Sequence, residues 1–442
     1  MEKNIFKAYD IRGIYPDELN EKDAYVIGRS IAEYFDDDKI IVGYDARPSS
    51  IPLFENLKDG IIDSGKDVLN IGLVTTPMVS FVVGITGYPG VMITASHNPK
   101  EYNGFKIIGK DVLSIGFEFG LKDIMELALK GVFKKKGKGK VEDGDFFDEY
   151  VRFLKSNLNI KNRLKIVIDA FNGSTPLVLE RLLKEIPLDF LRLNFDIDGN
   201  YPKHPPNPLQ KDNLKEISDV IKNGDYDFGV CFDGDGDRCV FIDENGELVS
   251  PDLITAFLAR EIDVKGEYVL VDVRTSRDVW NEIIKLGGKP KRVQVGHAYA
   301  RRKLKKLNGV LGGELAGHYY FRSMFYADSG ILAFVHFLNY FSEICGNKRF
   351  SEIVKELKRY HSTGEINFHT EKKDEIIEEV RNNFKDGDIS ELDGLTIEYE
   401  NWWFNIRKSN TEPLLRLIVE AEDEKILNEK TELIKKIINF FG

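Results

Sequence analysis

IIVGYDARPSS (residues 40–50), LKIVIDAFNGST (164–175) and YVLVDVRTSRD (268–278) are three versions of one pattern. Each is an apolar run that ends in Asp, followed by a turn bearing Arg or Asn and a hydroxyl residue. Short apolar runs bounded by turn residues predict buried strands. Downstream of each lies a second strand-like run that ends in a loop dense with chemistry. GVMI precedes TASHNP (94–99), FGVCF precedes DGDGDR (233–238), and LNGVL precedes GGELAGH (312–318). Helix-like segments such as IPLFENLKDGIIDSG (51–65) and RDVWNEIIKLGG (277–288) fall between the paired strands. Alternating strand and helix signals predict α/β units with mixed, largely buried sheets. Loops at the carboxyl ends of such strands are where these folds hold ligands.

The chain has 442 residues, which leaves room for three or four domains. The threefold pattern fills residues 1–148, 149–250 and 251–365 with one α/β domain each. After about residue 366 the pattern changes to strand, helix, strand and a final amphipathic helix, DEKILNEKTELIKKIINFF (423–441). Residues 366–442 are therefore expected to form a smaller α+β lid, with all four domains facing one cleft. The charged, Gly-containing stretch around residues 134–144 reads as a solvated turn or boundary.

Lys and Arg number 62 against 73 Asp and Glu, a net charge of −11, which argues against non-specific nucleic-acid binding. An anionic substrate is still allowed, because local cations can reverse the field inside a cleft. No apolar run is long enough to span a bilayer. The N-terminal segment MEKNIFKAYD lacks the apolar stretch of a signal peptide. Cys231, Cys239 and Cys345 have neither zinc-site nor disulfide-framework spacing. A cytoplasmic location, with no membrane partner, is the expectation.

In TASHNP, Ser96 follows an apolar strand, so its hydroxyl would stand at the strand's exposed end, where it could act as a nucleophile. His97 and Asn98 are placed to orient groups around it. Alone, a Ser-His pair in a loop is more often a turn than a catalyst. Lys106, ten residues on, could neutralise a phosphate or carry a proton, but by itself it is a surface lysine. In DGDGDR, Asp233, Asp235 and Asp237 alternate with glycines. Carboxylates this close repel one another, and a hard divalent cation removes that cost. The spacing resembles the start of an EF-hand, with Glu244 at its twelfth position. That reading fails, because Arg238 stands where the loop needs Gly, and both flanks are strand-like. Three protein oxygens leave coordination positions for a phosphate oxygen, which suits Mg²⁺. Glu314, among glycines and small residues, could bind sugar hydroxyls or belong to a plain Gly-rich turn. Arg407, Ser409, Asn410 and Thr411, in RKSNTEP (407–413), could form a phosphate clamp. Together these loops fit phosphoryl transfer, in which catalysis is mostly positioning and charge stabilisation.

The four loops, in order from FKAYDIRG (6–13) to RKSNTEPLLR (407–416), resemble the α-D-phosphohexomutase superfamily, and within it the phosphomannomutase/phosphoglucomutase branch. The resemblance implies interconversion of hexose 1-phosphate and hexose 6-phosphate through phospho-Ser96. A hexose 1,6-bisphosphate would be both intermediate and activator. It implies Mg²⁺ on Asp233, Asp235, Asp237 and phospho-Ser96, with Arg12, His97 and Lys106 at the reacting end. Arg238, Arg274, His297 and Glu314 would bind substrate, and Arg407, Ser409, Asn410 and Thr411 would hold its distal phosphate. Three residues depart from the family's pattern: Ala316 replaces a sugar-contacting serine, Arg274 replaces a frequent lysine, and Lys7 replaces an arginine. Asn410 matches the mannose/glucose branch, whereas phosphoglucosamine mutases more often carry Gly there. Phosphoglucosamine mutase and Mg²⁺-dependent sugar phosphatase are the alternatives.

Overall fold

The computed structural model describes residues 1–134, 137–184, 186–409 and 414–441. The three Asp-terminated runs form strands Lys39–Tyr44, Leu164–Asp169 and Tyr268–Asp272, each in the interior of a different sheet. Each has parallel neighbours on both sides. In the first sheet these are Asp67–Leu73 and Gly90–Ile93, in the second Leu188–Leu193 and Phe228–Phe232, in the third Lys289–Val293 and Leu311–Gly313. The chemical loop follows the second neighbour, and the chain returns as an antiparallel strand: Tyr102–Ile108, Cys239–Asp243 or Tyr319–Phe321. The repeat expected from sequence is thus one shared topology with mixed sheets.

A smaller device recurs in all three units. The carboxylate that ends each apolar run accepts a hydrogen bond from the backbone N–H two residues on. Arg47 N meets Asp45 at 3.0 Å, Phe171 N meets Asp169 at 2.9 Å, and Arg274 N meets Asp272 at 2.7 Å. This closes the turn that sends the chain out of the sheet.

The strands before the first two chemical loops, Gly90–Ile93 and Phe228–Phe232, are buried at every position. Such continuous apolar runs follow from covering both faces of a sheet with helices. One apolar core runs through the first three units, from Phe81 through Phe228 to Phe334 and Phe337. Helix Thr76–Thr86 shows how local signals set the boundaries. Thr75 caps its start by accepting from Met78 N, Pro77 lies in its first turn, and Gly87 ends it at a φ of +75°.

The C-terminal unit is an antiparallel sheet in the order His361–Ser362, Leu414–Ala421, Trp402–Lys408, Leu395–Glu398, Asp388–Ser390, with Ile366–His369 also pairing to Leu414–Ala421. Helices Lys373–Asn383 and Glu424–Phe441 accompany it, and Phe404, Leu417 and Ile434 belong to a core of its own. Among the described residues, no helix is long and apolar enough to cross a membrane.

Candidate active site

The first two chemical loops meet. Ser96 follows strand Gly90–Ile93 and is 1% exposed, with a left-handed φ of +53° that is uncommon outside glycine. Its Oγ donates to Asp233 Oδ2 at 2.7 Å and lies 3.3 Å from His97 Nδ1. Asp233, Asp235 and Asp237 are buried and lie close enough to share one ion. Lys106 Nζ donates to Asp235 Oδ2 at 2.6 Å and to Asp237 Oδ2 at 2.5 Å, while Thr76 Oγ1 donates to the same Asp235 oxygen at 2.5 Å. Oδ1 of Asp235 and of Asp237 have no hydrogen-bond partner among the described residues. Buried carboxylate oxygens left in this state carry a desolvation cost that a hard cation would relieve. The donor set therefore fits a divalent ion.

The charges are strongly coupled. Burial, then Asp237 and Asp235, push Asp233 well above the usual carboxylate range. Burial works in the same direction on Asp235, but the charge of Lys106 and the hydrogen bonds from Lys106 and Thr76 together outweigh it and hold that group low. Burial also opposes the charge of Lys106, and Asp235, Asp237 and Asp233 overcome it, so the ammonium is held more firmly than an ordinary lysine. Loss of solvent, followed by the nearby cations Arg238, Arg12 and Lys106, keeps His97 well below its ordinary value. Arg12 approaches the same loop, donating to Asn98 Oδ1 at 2.5 Å and pairing with Asp10.

Arg238 reaches from the second loop to the third, its Nε donating to His318 Nε2 at 2.8 Å. His318 Nδ1 lies 2.7 Å from Asp328 Oδ2, and Asp328 in turn pairs with Arg301. Glu314 is 1% exposed and accepts from the Tyr320 hydroxyl; burial raises its carboxyl. His297 opens helix His297–Leu307, sits 2.9 Å from Ser114 Oγ, and is held well below its usual value by burial.

A second cationic group lies at the junction of the third and fourth units. Arg274 Nη2 pairs with Asp272 Oδ2 at 2.6 Å, and that same oxygen accepts Leu315 N at 2.9 Å, tying the group to the GELAGH loop. Arg274 and Arg407 both reach Glu365 Oε2. Ser409 N donates to Leu414 O at 2.9 Å. Asn410 and Thr411 lie outside the described residues.

Several contributors were not singled out from sequence. Arg47 is 1% exposed and holds the serine loop by its backbone. Its Nη2 donates to Ser96 O at 2.8 Å and Asn98 O at 2.7 Å, and its Nη1 to Pro99 O at 2.6 Å and Tyr102 O at 3.0 Å. Its Nε pairs with Asp45. The signal was available: Asp45-Ala-Arg47 and Asp272-Val-Arg274 share a spacing that puts an arginine beside the strand-end carboxylate. Asp328 and Glu365 had no comparable signal, since both act only through tertiary contact.

The phosphoglucomutase/phosphomannomutase family matches the chain in four consecutive pieces. Its alpha/beta/alpha domains I, II and III match residues 3–134, 148–246 and 250–360, and its C-terminal domain matches 365–436. The phosphomannomutase of Methanocaldococcus jannaschii is 37% identical over 440 residues, covering 98% of this chain and 97% of that protein. The phosphomannomutase of Vibrio cholerae is 35% identical over 460 residues, covering 99% and 98%. The crystal structure of a phosphoglucomutase/phosphomannomutase family protein from Burkholderia thailandensis superposes with a TM-score of 0.92 at 29% identity, covering 99% of this chain and 97% of that one. The chain belongs to the phosphoglucomutase/phosphomannomutase family and is an isomerase.

Proposed function

We propose that this isomerase interconverts the 1- and 6-phosphates of mannose and/or glucose in the cytoplasm, through phospho-Ser96 and a hexose 1,6-bisphosphate. The observation that carries the reading is the buried contact of Ser96 Oγ with Asp233 Oδ2 at 2.7 Å. A serine hydroxyl against a buried carboxylate cluster supports a nucleophile working beside a divalent ion. The working units are residues 1–148, 149–250, 251–365 and 366–442.

In the first half-reaction, the Ser96 Oγ–P bond breaks and a bond forms from that phosphorus to the free hydroxyl of the hexose monophosphate. Lys106, Arg12 and His97 stand at this reacting end: the hydroxyl's proton passes to His97, whose imidazole burial keeps neutral, while the Lys106 ammonium and the Arg12 guanidinium offset charge on the phosphoryl oxygens. The bisphosphate then reorients, and Ser96 takes the other phosphoryl group in the reverse of the first step. Mg²⁺ on Asp233, Asp235, Asp237 and phospho-Ser96 would neutralise charge on the phosphoryl oxygens. Glu314 reads the sugar hydroxyls, with Arg238, Arg274 and His297 alongside it. Arg407, with Ser409, Asn410 and Thr411, holds the phosphate that is not reacting.

Incubation with mannose 1-phosphate or glucose 1-phosphate, Mg²⁺ and a trace of the matching 1,6-bisphosphate tests the proposal. The 6-phosphate is the expected product. Free phosphate would identify a phosphatase, and turnover confined to glucosamine phosphates would move the assignment to phosphoglucosamine mutase.

A further inference from the structure

A carboxylate stands where three arginines converge. Glu365 lies between strands His361–Ser362 and Ile366–His369, directly after Gly364, whose φ is +64°. Its Oε2 accepts from Arg407 Nη2 at 3.0 Å and from Arg274 Nη1 at 3.3 Å, and its Oε1 accepts from Arg416 Nη1 at 2.9 Å. Arg407 and Arg416 are directly opposed across adjacent antiparallel strands, so both leave the same face of the sheet. Arg274 arrives from the third unit, already paired with Asp272.

This arrangement has the chemistry of an occupied anion site. Three guanidiniums in one place repel, and one shared carboxylate offsets part of that repulsion. Arg407 is 2% exposed, and its Nε has no partner among the described residues. A phosphate binds the planar fork of an arginine best through two N–H groups. On Arg407, Glu365 occupies one of these donors, so phosphate and carboxylate contend for the same side chain.

We infer that Glu365 is an internal competitor for the phosphate clamp: it holds Arg407 between phosphates and releases it when a sugar phosphate docks. The inference rests on the proposed reading of Arg407 as the clamp. The reaction gives the competitor a use. The bisphosphate must leave the clamp by one phosphate and return by the other. A phosphate held by buried arginines leaves slowly if its departure strands unpaired charge. A carboxylate that retakes Arg407 as the phosphate departs removes that penalty. The tie also spans two units, since Arg274 and Arg407 share one oxygen of Glu365. Capture of Arg407 by phosphate therefore alters the contact between the third unit and the lid.

The test measures the dissociation constant of mannose 1-phosphate by calorimetry in a Ser96→Ala background, where no turnover intervenes. Glu365→Gln keeps the shape and removes the charge. It should bind the sugar phosphate roughly tenfold more tightly, the scale of one charge-assisted hydrogen bond freed from competition. With Ser96 intact, Glu365→Gln should lower kcat severalfold, because release of the bisphosphate slows. Structural damage would weaken binding, so a gain in affinity is specific to competition. Glu365→Asp, with its shorter reach, should fall between wild type and Gln, and it serves alone if the Gln variant does not fold. Unchanged or weakened binding in a folded variant would overturn the inference, leaving Glu365 as a strut that positions the arginines. Arg407→Ala is measured in parallel. If it weakens binding while Glu365→Gln has no effect, the clamp stands and only the competitor fails. If Arg407→Ala leaves binding unchanged, the clamp reading fails and the competitor falls with it.

Discussion

Ser96 and Asp233 are 137 residues apart in sequence, yet the serine Oγ donates to the aspartate Oδ2 at 2.7 Å. The proposed nucleophile and the carboxylate cluster therefore come from different sheets, and on the proposed reading the reacting centre exists only where those units pack. Ser96→Ala should abolish turnover and remove covalent phosphate, as read by intact-protein mass spectrometry. It loses one hydrogen bond to a carboxylate, so stability should fall by only about 1–3 kcal/mol. A variant that remained active and phosphorylated would transfer the role to another residue.

The carboxylate cluster predicts a binding signature separate from activity. Added Mg²⁺ should raise the thermal midpoint of the wild type, because an ion bound only to the folded state stabilises it. Asp235→Asn should blunt that rise and lower turnover together, and chelation should stop catalysis. Full activity after exhaustive chelation, with no thermal response to Mg²⁺, would make the loop a mere acidic turn.

Arg47 predicts a coupled loss of stability and chemistry. Its side chain and that of Asp45 are both fully buried. Arg47→Ala leaves an uncompensated carboxylate, a change that costs about 3–5 kcal/mol in buried pairs. It also frees the carbonyls of Ser96, Asn98, Pro99 and Tyr102. Lysine cannot reproduce the guanidinium fork. Arg47→Lys should therefore regain part of the thermal midpoint while Ser96 phosphorylation by the bisphosphate stays slow. A lysine variant with wild-type phosphorylation rate would reduce Arg47 to a purely structural role.

Asp169 predicts a pH dependence of stability. Burial raises its carboxyl from 3.8 to about 7, against the opposing hydrogen bonds from Phe171 N and Asn194. Between those values the folded state binds more protons than the unfolded chain, so stability is highest at the acid end of the window and falls as pH rises through it. The full change is a few kcal/mol, about 1.4 for each pH unit. Denaturant titrations from pH 4.5 to 8 should show this slope in the wild type and a flatter one in Asp169→Asn. Identical slopes would mean that Asp169 is ionised throughout.

Features repeated or contiguous along the chain were legible in the sequence. The strands that run up to Asp45, Asp169 and Asp272 were readable because an apolar run and a following turn are local signals. Asp233, Asp235 and Asp237 were readable because their charges crowd within one loop. The grip of Arg47 on the Ser96 carbonyl was not, since it depends on how the two turns of one sheet face each other. Nor was the role of Glu365, which lies in a connecting segment whose composition gives no hint of the arginines that surround it. His318 lies within GGELAGH but was not singled out there, and Asp328 beside it is placed by the strand return through Tyr319–Phe321.

The contact between Ser96 and Asp233 also orders the birth of the enzyme. Units fold in turn as a chain leaves the ribosome, N-terminal first. A nascent chain that has completed only the first sheet carries its serine with no partner carboxylate. The cluster arrives with the second sheet, and Arg407 arrives only when strand Trp402–Lys408 emerges. On the proposed reading, a polypeptide released before the second sheet would be catalytically silent even with its first unit natively folded. On that reading, such truncated products of interrupted translation would turn over no hexose phosphate.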